Sequence, residues 1–319
     1  MFTVTVLGSG SSGNCALVET PKCRLLIDAG LSARQIALRL AQCGVTPEQI
    51  DGILLTHEHQ DHSGGIDVWF KQFETPIYCN SLTAEVLRNG PQKLKKDWRI
   101  ITTGSEFALA DLTIQTFPVP HDAVEPVGFV MHHGRHSLGY LTDLGVATRL
   151  VHERVRQVHT LVVETNHDEK LLQNDTKRPW SVKQRISSRH GHLSNAAAAE
   201  VVAELLESGL RRAVLCHLSS DCNTPELAVG TVRARIDPLV GGSSVDVVCS
   251  TRREVTAKFE IGDPAEANGE MPAQLQPSPA ASSADACESV GTRVQERPNE
   301  PAVRPKAHWP MDDLFSLTP

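Results

Sequence analysis

The stretch Thr56-His57-Glu58-His59-Gln60-Asp61-His62 places three imidazoles and two carboxylates within seven positions. It follows the apolar run Ile53-Leu54-Leu55 and precedes Ser63-Gly64-Gly65 and a predicted helix. The pattern reads as a loop at the C-terminal end of a strand, where open α/β architectures place their ligands. Neutral imidazole and carboxylate together suit zinc, manganese or iron. A lone histidine is usually a core or surface residue, but an H-x-H-x-D-H order on a strand-end loop points to metal ligation.

Residues of the same kinds recur at other predicted strand ends: His121, Asp143 and His217, with Asp28 and His192 in similar contexts. Strand-end loops of one layer converge on one edge, so distant positions can share a site. Seven donors (His57, His59, Asp61, His62, His121, Asp143 and His217) exceed what one ion needs. They fit two ions ~4 Å apart joined by a carboxylate.

The elements that must carry these residues alternate between strand and helix. Thr3 to Leu7, Ala16 to Glu19 and Arg24 to Ile27 read as strands. Between the first two lies Gly8-Ser9-Gly10-Ser11-Ser12-Gly13-Asn14, either a plain hairpin turn or a phosphate cradle without a Walker lysine. Asp28 ends the third strand, as a helix cap or as a partner for a ligand histidine. Helices are predicted over 32–42, 66–73, 81–88 (capped by Ser81), 146–158, 196–206 (capped by Ser194) and 225–235. Further strands are expected at 77–79, 112–117, 127–131, 137–141, 160–163, 213–216, 245–249 and 255–259. His132, His133 and His136 fall in the predicted hairpin turn and read as surface.

After Glu164-Thr165-Asn166-His167-Asp168 come Lys170, Lys177, Arg178, Lys183, Arg185 and Arg189, with Trp180 among them. This segment is either a solvated helix face or a surface for backbone phosphates. Gln92 to Arg99 is also basic and reads as solvated surface.

The chain has 319 residues, 40% of them hydrophobic, so a sizeable core is expected. The N-terminus lacks the basic and cleavage regions of a signal peptide, and no run approaches the roughly 18 apolar residues of a membrane span. The expectation is therefore a cytoplasmic protein with no membrane association. Eight scattered cysteines without a C-x-x-C pair fit reduced thiols better than a disulfide framework. The net charge is −7, which argues against a general nucleic-acid binder. However, residues 263–319 hold nine acidic and four basic side chains, so only −2 remains for residues 1–262. Bound cations would invert the sign of the site locally, so a polyanionic substrate stays compatible.

Near Gly262 the composition turns rich in Pro, Ala, Ser and Glu. Two segments are predicted: a catalytic domain over 1–262 and a disordered tail over 263–319. Residues 309–319 regain apolar weight. Met311-Asp312-Asp313-Leu314-Phe315 loosely resembles peptides that bind the bacterial sliding clamp, without their leading Gln, and makes a docking peptide for a protein partner a candidate.

In their order, Asp28, the HEHQDH run, His121, Asp143 and His217 resemble the five motifs of the metallo-β-lactamase superfamily. The resemblance covers about residues 1–262. It implies a four-layer αββα sandwich, a subclass of α/β, and a dinuclear site for zinc or manganese. By position it implies that His57, His59 and His121 hold one ion, that Asp61, His62 and His217 hold the other, that Asp143 bridges, and that Asp28 orients the loop from behind. Within the superfamily the chain is similar to the nuclease-like YycJ/WalJ-type group. The marks are Gly10-Ser11-Ser12-Gly13-Asn14, Asp28-Ala29-Gly30, Thr165-Asn166-His167-Asp168, Gly191-His192-Leu193-Ser194-Asn195 and His217-Leu218-Ser219 with Asn223-Thr224-Pro225. The GHLSN and HLS segments also resemble histidine motifs of the tRNA 3′-processing nuclease.

The group implies a 5′-to-3′ DNA exonuclease linked to DNA repair, hence a nucleic-acid substrate, DNA before RNA. No basic arm of the tRNA-processing type and no β-CASP insertion is seen. The expected chemistry is metal-assisted phosphodiester hydrolysis. Asp61 is expected in the catalytic centre, and His192 stabilises developing charge or protonates the leaving oxygen. His167 is a second catalytic candidate, and Lys177, Arg178, Lys183, Arg185 and Asn195 are expected to contact substrate. The competing readings are an ester or thioester hydrolase on the same fold, an RNA-processing nuclease, and a non-hydrolytic partner protein acting through its tail.

Overall fold

The structure, a computed structural model, describes residues 1–89 and 97–262. The predicted disordered tail, the docking peptide at 309–319 and the basic residues 92–96 lie outside the described residues.

The first half runs β1 (Thr3–Gly8), β2 (Cys15–Glu19), β3 (Arg24–Ile27), α1 (Ala33–Gln42), β4 (Gly52–Leu54), α2 (Gln60–Ser63), α3 (Ile66–Phe73), β5 (Ile77–Cys79), α4 (Ser81–Arg88) and β6 (Trp98–Ile100). The second half begins with β7 (Glu106–Leu109), β8 (Leu112–Pro118), β9 (Val127–His133), β10 (His136–Leu141), α5 (Arg149–Val155) and β11 (Thr160–Glu164). It continues through α6 (Glu169–Asn174), α7 (Trp180–Ile186), α8 (Asn195–Glu204), β12 (Arg212–Cys216), α9 (Pro225–Ile236), β13 (Asp246–Cys249) and β14 (Phe259–Glu260).

Among the described residues two seven-stranded sheets result, ordered β14-β1-β2-β3-β4-β5-β6 and β13-β12-β11-β10-β9-β8-β7. Each opens as an antiparallel meander and continues as parallel strands, β3 to β6 in one and β10 to β13 in the other. The apolar runs are nearly continuous because both faces of each sheet are covered. Leu25 and Ile27 face the other sheet, in a layer with Phe129, Tyr140, Val162 and Val214. Leu26, one residue out of phase, packs with Ile36 and Leu40 of α1 and Trp69 of α3. In the second sheet Leu161, Val163 and Leu215 face Val151 of α5, Val202 of α8 and Val232 of α9. The period of two along each strand thus produces four layers, helix–sheet–sheet–helix.

Several boundaries move. Asn80, not Ser81, caps α4, accepting from the Thr83 amide. The helix expected over 146–158 is only Arg149–Val155, because the Thr148 hydroxyl accepts from the Val151 amide and starts it late. The strand expected over 255–259 reduces to Phe259–Glu260. His132, His133 and His136 lie on β9 and β10 rather than in their turn, which shrinks to Gly134-Arg135; His136 is buried, not surface. Among the described residues no helix is long and apolar enough to cross a membrane.

Candidate metal centre

The C-terminal ends of the parallel strands carry the predicted donors. Asp28 follows β3, His57 to His62 follow β4, Asp143 follows β10 and His217 follows β12. His121 comes from the loop after β8. Asp28, Asp143 and His217 adopt left-handed backbone conformations, with φ of 61°, 54° and 55°. A non-glycine residue there is strained, and such strain persists where the surroundings enforce it. In these three cases the strand ends on a residue that turns out of the sheet at the rim.

Donor atoms of His57, His59 and His121 lie within 4.8 Å of one another, and so do those of Asp61, His62 and His217. His57, His62 and Asp143 form a further such group, so Asp143 stands between the two triads. Most of these imidazoles are tied back through one ring nitrogen. Thr56 Oγ1 is 3.0 Å from His57 Nδ1, and Asp28 Oδ2 is 2.8 Å from His62 Nδ1. Gly191 O is 3.0 Å from His121 Nδ1, and Glu164 Oε1 is 2.7 Å from His217 Nδ1. Such bonds fix ring orientation and leave the other nitrogen for an ion. At His57 and His217 the buried Nε2 has no hydrogen-bond partner. A buried ring nitrogen without a partner is costly unless something meets it. Burial and the neighbouring His62 also hold the His57 pKa well below its usual value, so this ring is a neutral donor. The donor set therefore fits two divalent ions.

Residues 23–218 match the family described as the β-lactamase superfamily domain. The chain belongs to the metallo-β-lactamase superfamily. It is 36% identical over 248 residues to exodeoxyribonuclease WalJ of Streptococcus pneumoniae, covering 77% of this chain and 92% of that protein. It is 34% identical over 225 residues to exodeoxyribonuclease YycJ of Bacillus anthracis, covering 70% of this chain and 85% of that protein. The crystal structure of YhfI from Bacillus subtilis, a metallo-β-lactamase fold protein, superposes with a TM-score of 0.62 at 17% identity, covering 81% of this chain and 99% of that one. The protein is a hydrolase of this superfamily fold, and its His/Asp cluster fits a metal site.

Two residues at the superfamily site carry weight that the sequence pattern does not announce. Glu164, fully buried at the end of β11, uses one oxygen to meet two histidines: Oε1 is 2.7 Å from His192 Nδ1 and from His217 Nδ1. Its other oxygen accepts from the Leu144 and Leu193 amides. Burial opposes its ionisation, but the two imidazoles win and bring its pKa to about 2. Burial also opposes charge on His192, yet Glu164 and Asp143 raise it to about 11. Asn14 is the second. Its side chain donates to Asp61 O, lies 3.0 Å from His62 Nε2 and accepts from the Gly10 amide. The Gly/Ser segment before it is a hairpin turn between β1 and β2, and Ser9 Oγ accepts from the His217 amide. A carboxylate at a strand end and an Asn after a glycine turn were the available signals.

The predicted substrate contacts are placed unevenly. His167 is buried and lies beside the His192 wall of a cavity that Lys183 also lines. Lys183 Nζ donates to Gln173 O. Lys177 and Arg178 are instead neutralised: Nζ of Lys177 is 2.6 Å from Asp221, and Arg178 pairs with Asp175 at 2.7 Å and Asp221 at 2.9 Å. Arg185 pairs with Asp122. Asn195 is buried with both ends of its amide engaged by Asn223 at 2.8 and 2.9 Å, so it braces the start of α8 rather than facing substrate.

Proposed function

We propose that the protein is a dinuclear metal-dependent phosphodiesterase that shortens DNA from its 5′ end. The observation that carries this reading is the meeting of two donor triads and Asp143 at one rim, with His57 Nε2 left without a hydrogen-bond partner and His217 Nε2 facing Asp61 Oδ2 at 3.4 Å. The names of the YycJ and WalJ relatives support DNA over RNA. His57, His59 and His121 would hold one ion; Asp61, His62 and His217 the other; Asp143 would face both. The chemistry supplied by two bound zinc or manganese ions is polarisation of a phosphate oxygen and acidification of a water.

The chain's own residues do the rest. Asp28 accepts from the Thr56 amide and hydroxyl and fixes His62, so the loop keeps its shape. His192, held by Glu164 through Nδ1, presents Nε2 as the acid for the leaving oxygen. Asp61 orients the attacking side, because Asn14 holds its backbone oxygen. In the cell such trimming would act on cytoplasmic DNA during repair, with residues 309–319 as a docking peptide for a sliding clamp.

End-labelled duplex DNA with added manganese or zinc tests the reading. Stepwise release from the 5′ end, abolished by His57→Ala, is expected; hydrolysis of a thioester but not of DNA overturns it. Repair would be tested by the damage sensitivity of a deletion strain. Clamp docking falls if deleting residues 309–319 leaves clamp binding unchanged.

A further inference from the structure

Beside the metal rim lies a cavity of about 220 Å³ between α6, α7 and the start of α8. His192 lines it, so the cavity opens beside the rim where the phosphate would be cut. Its other walls differ in character. Trp180, 67% exposed, and Leu172 offer apolar surface; Glu169, Lys183 and His167 offer polar atoms. His167 is only 2% exposed and its Nδ1 has no hydrogen-bond partner. A buried nitrogen without a partner is costly, and His167 belongs to this cavity's wall.

We propose that this cavity takes the base of the terminal nucleotide, unstacked from its neighbour, with Trp180 as the stacking face. The proposal rests on the nuclease reading and adds to it how the strand end is held. A second phosphate would leave the apolar Trp180 and Leu172 faces unused and would meet the Glu169 carboxylate in the wall. A nucleobase suits it: flat, uncharged, and edged with donors and acceptors that Glu169 and His167 complement. Trp180 also accounts for the basic segment around it. Lys177, Arg178 and Arg185 are tied up in ion pairs, so Trp180 is what the start of α7 adds to the cavity.

The test uses the full chain freed of metal by chelation, so that no cleavage occurs. Two single-stranded oligonucleotides carry 2-aminopurine, one as the 5′-terminal and one as the 3′-terminal base. Quenching of either probe by the wild type and by Trp180→Phe, lost with Trp180→Ala, is expected. With metal restored, Trp180→Ala raises KM for single-stranded ends about tenfold, within the usual effect of removing one stacked base. Trp180 is exposed, so the variant folds. Binding without quenching, or equal quenching by wild type and Trp180→Ala, overturns the cavity assignment while leaving the nuclease reading intact. A wild type that neither binds nor cleaves the strands overturns both.

Discussion

One oxygen of Glu164 meets two imidazoles, and that arrangement makes a sharp prediction. Glu164→Gln keeps the volume but removes the negative charge that offsets the burial of two protonatable rings. One of the rings must then turn or lose its proton. Residues that orient ligand histidines typically matter 10–100-fold in metal affinity or activity. A fall of about that size in kcat, with bound metal reduced at the His217 triad, is expected from turnover and metal analysis; unchanged kcat and metal content would show that the carboxylate is only a packing group. The candidate donors were legible because seven residues of two chemical types recur at strand ends in order. Glu164 was not, since a single buried carboxylate acquires meaning only when β11 and β12 are seen side by side. Asn195 shows the opposite failure. It sits in a motif full of chemistry, yet its amide is spent on Asn223.

The elements that hold the loop are short and close-packed. Gly30 follows β3, and a Cβ added there would lie 1.7 Å from Asp61 O. Gly30→Ala must therefore push the metal loop away from Asn14, which donates to the same oxygen at 3.2 Å. Protein interiors tolerate such overpacking poorly. The expected result is a folded protein by circular dichroism with metal affinity reduced at least about tenfold, as expected when supports of a metal site fail; calorimetric titration reads it. Retained affinity would mean that the loop can slide. Strand runs and helix caps such as Ser32 and Ser194 were readable locally, because each cap bond closes within three residues. The late start of α5 and the pairing of Lys177 with Asp221 were not. The latter joins α6–α7 to the loop after β12, 44 residues away, a tertiary fact.

At the scale of the whole molecule, the donors come from both sheets. His57, His59, Asp61 and His62 follow β4 of the first sheet, while Asp143 and His217 follow β10 and β12 of the second. Ions bound there tie the two sheets together, and anything that binds only the folded state stabilises it. At a free ion concentration 100 times Kd the gain is about 2.7 kcal/mol. In a chain of this size that corresponds to a melting temperature lower by roughly 5–10 °C after chelation, which differential scanning calorimetry detects; an unchanged melting temperature would count against a site that joins the sheets. The charge balance leads to the last expectation. The chain carries −7, and Lys177, Arg178 and Arg185 are paired with Asp175, Asp221 and Asp122. The Lys177 and Arg178 hydrogen bonds hold the Asp221 carboxyl at a pKa of about 2, so the carboxylate is charged at neutral pH and is protonated only as pH falls toward that value. Few phosphates are then neutralised, and the slope of log affinity against log salt should be shallow, about −2 for two contacts. Asp221→Asn frees Lys177, while Arg178 keeps its pair with Asp175. It should tighten DNA binding at low salt and steepen the slope by about one unit, as one added phosphate contact does. Filter binding across a salt series decides it: a slope indifferent to the substitution would mean that α7 meets the strand by stacking alone.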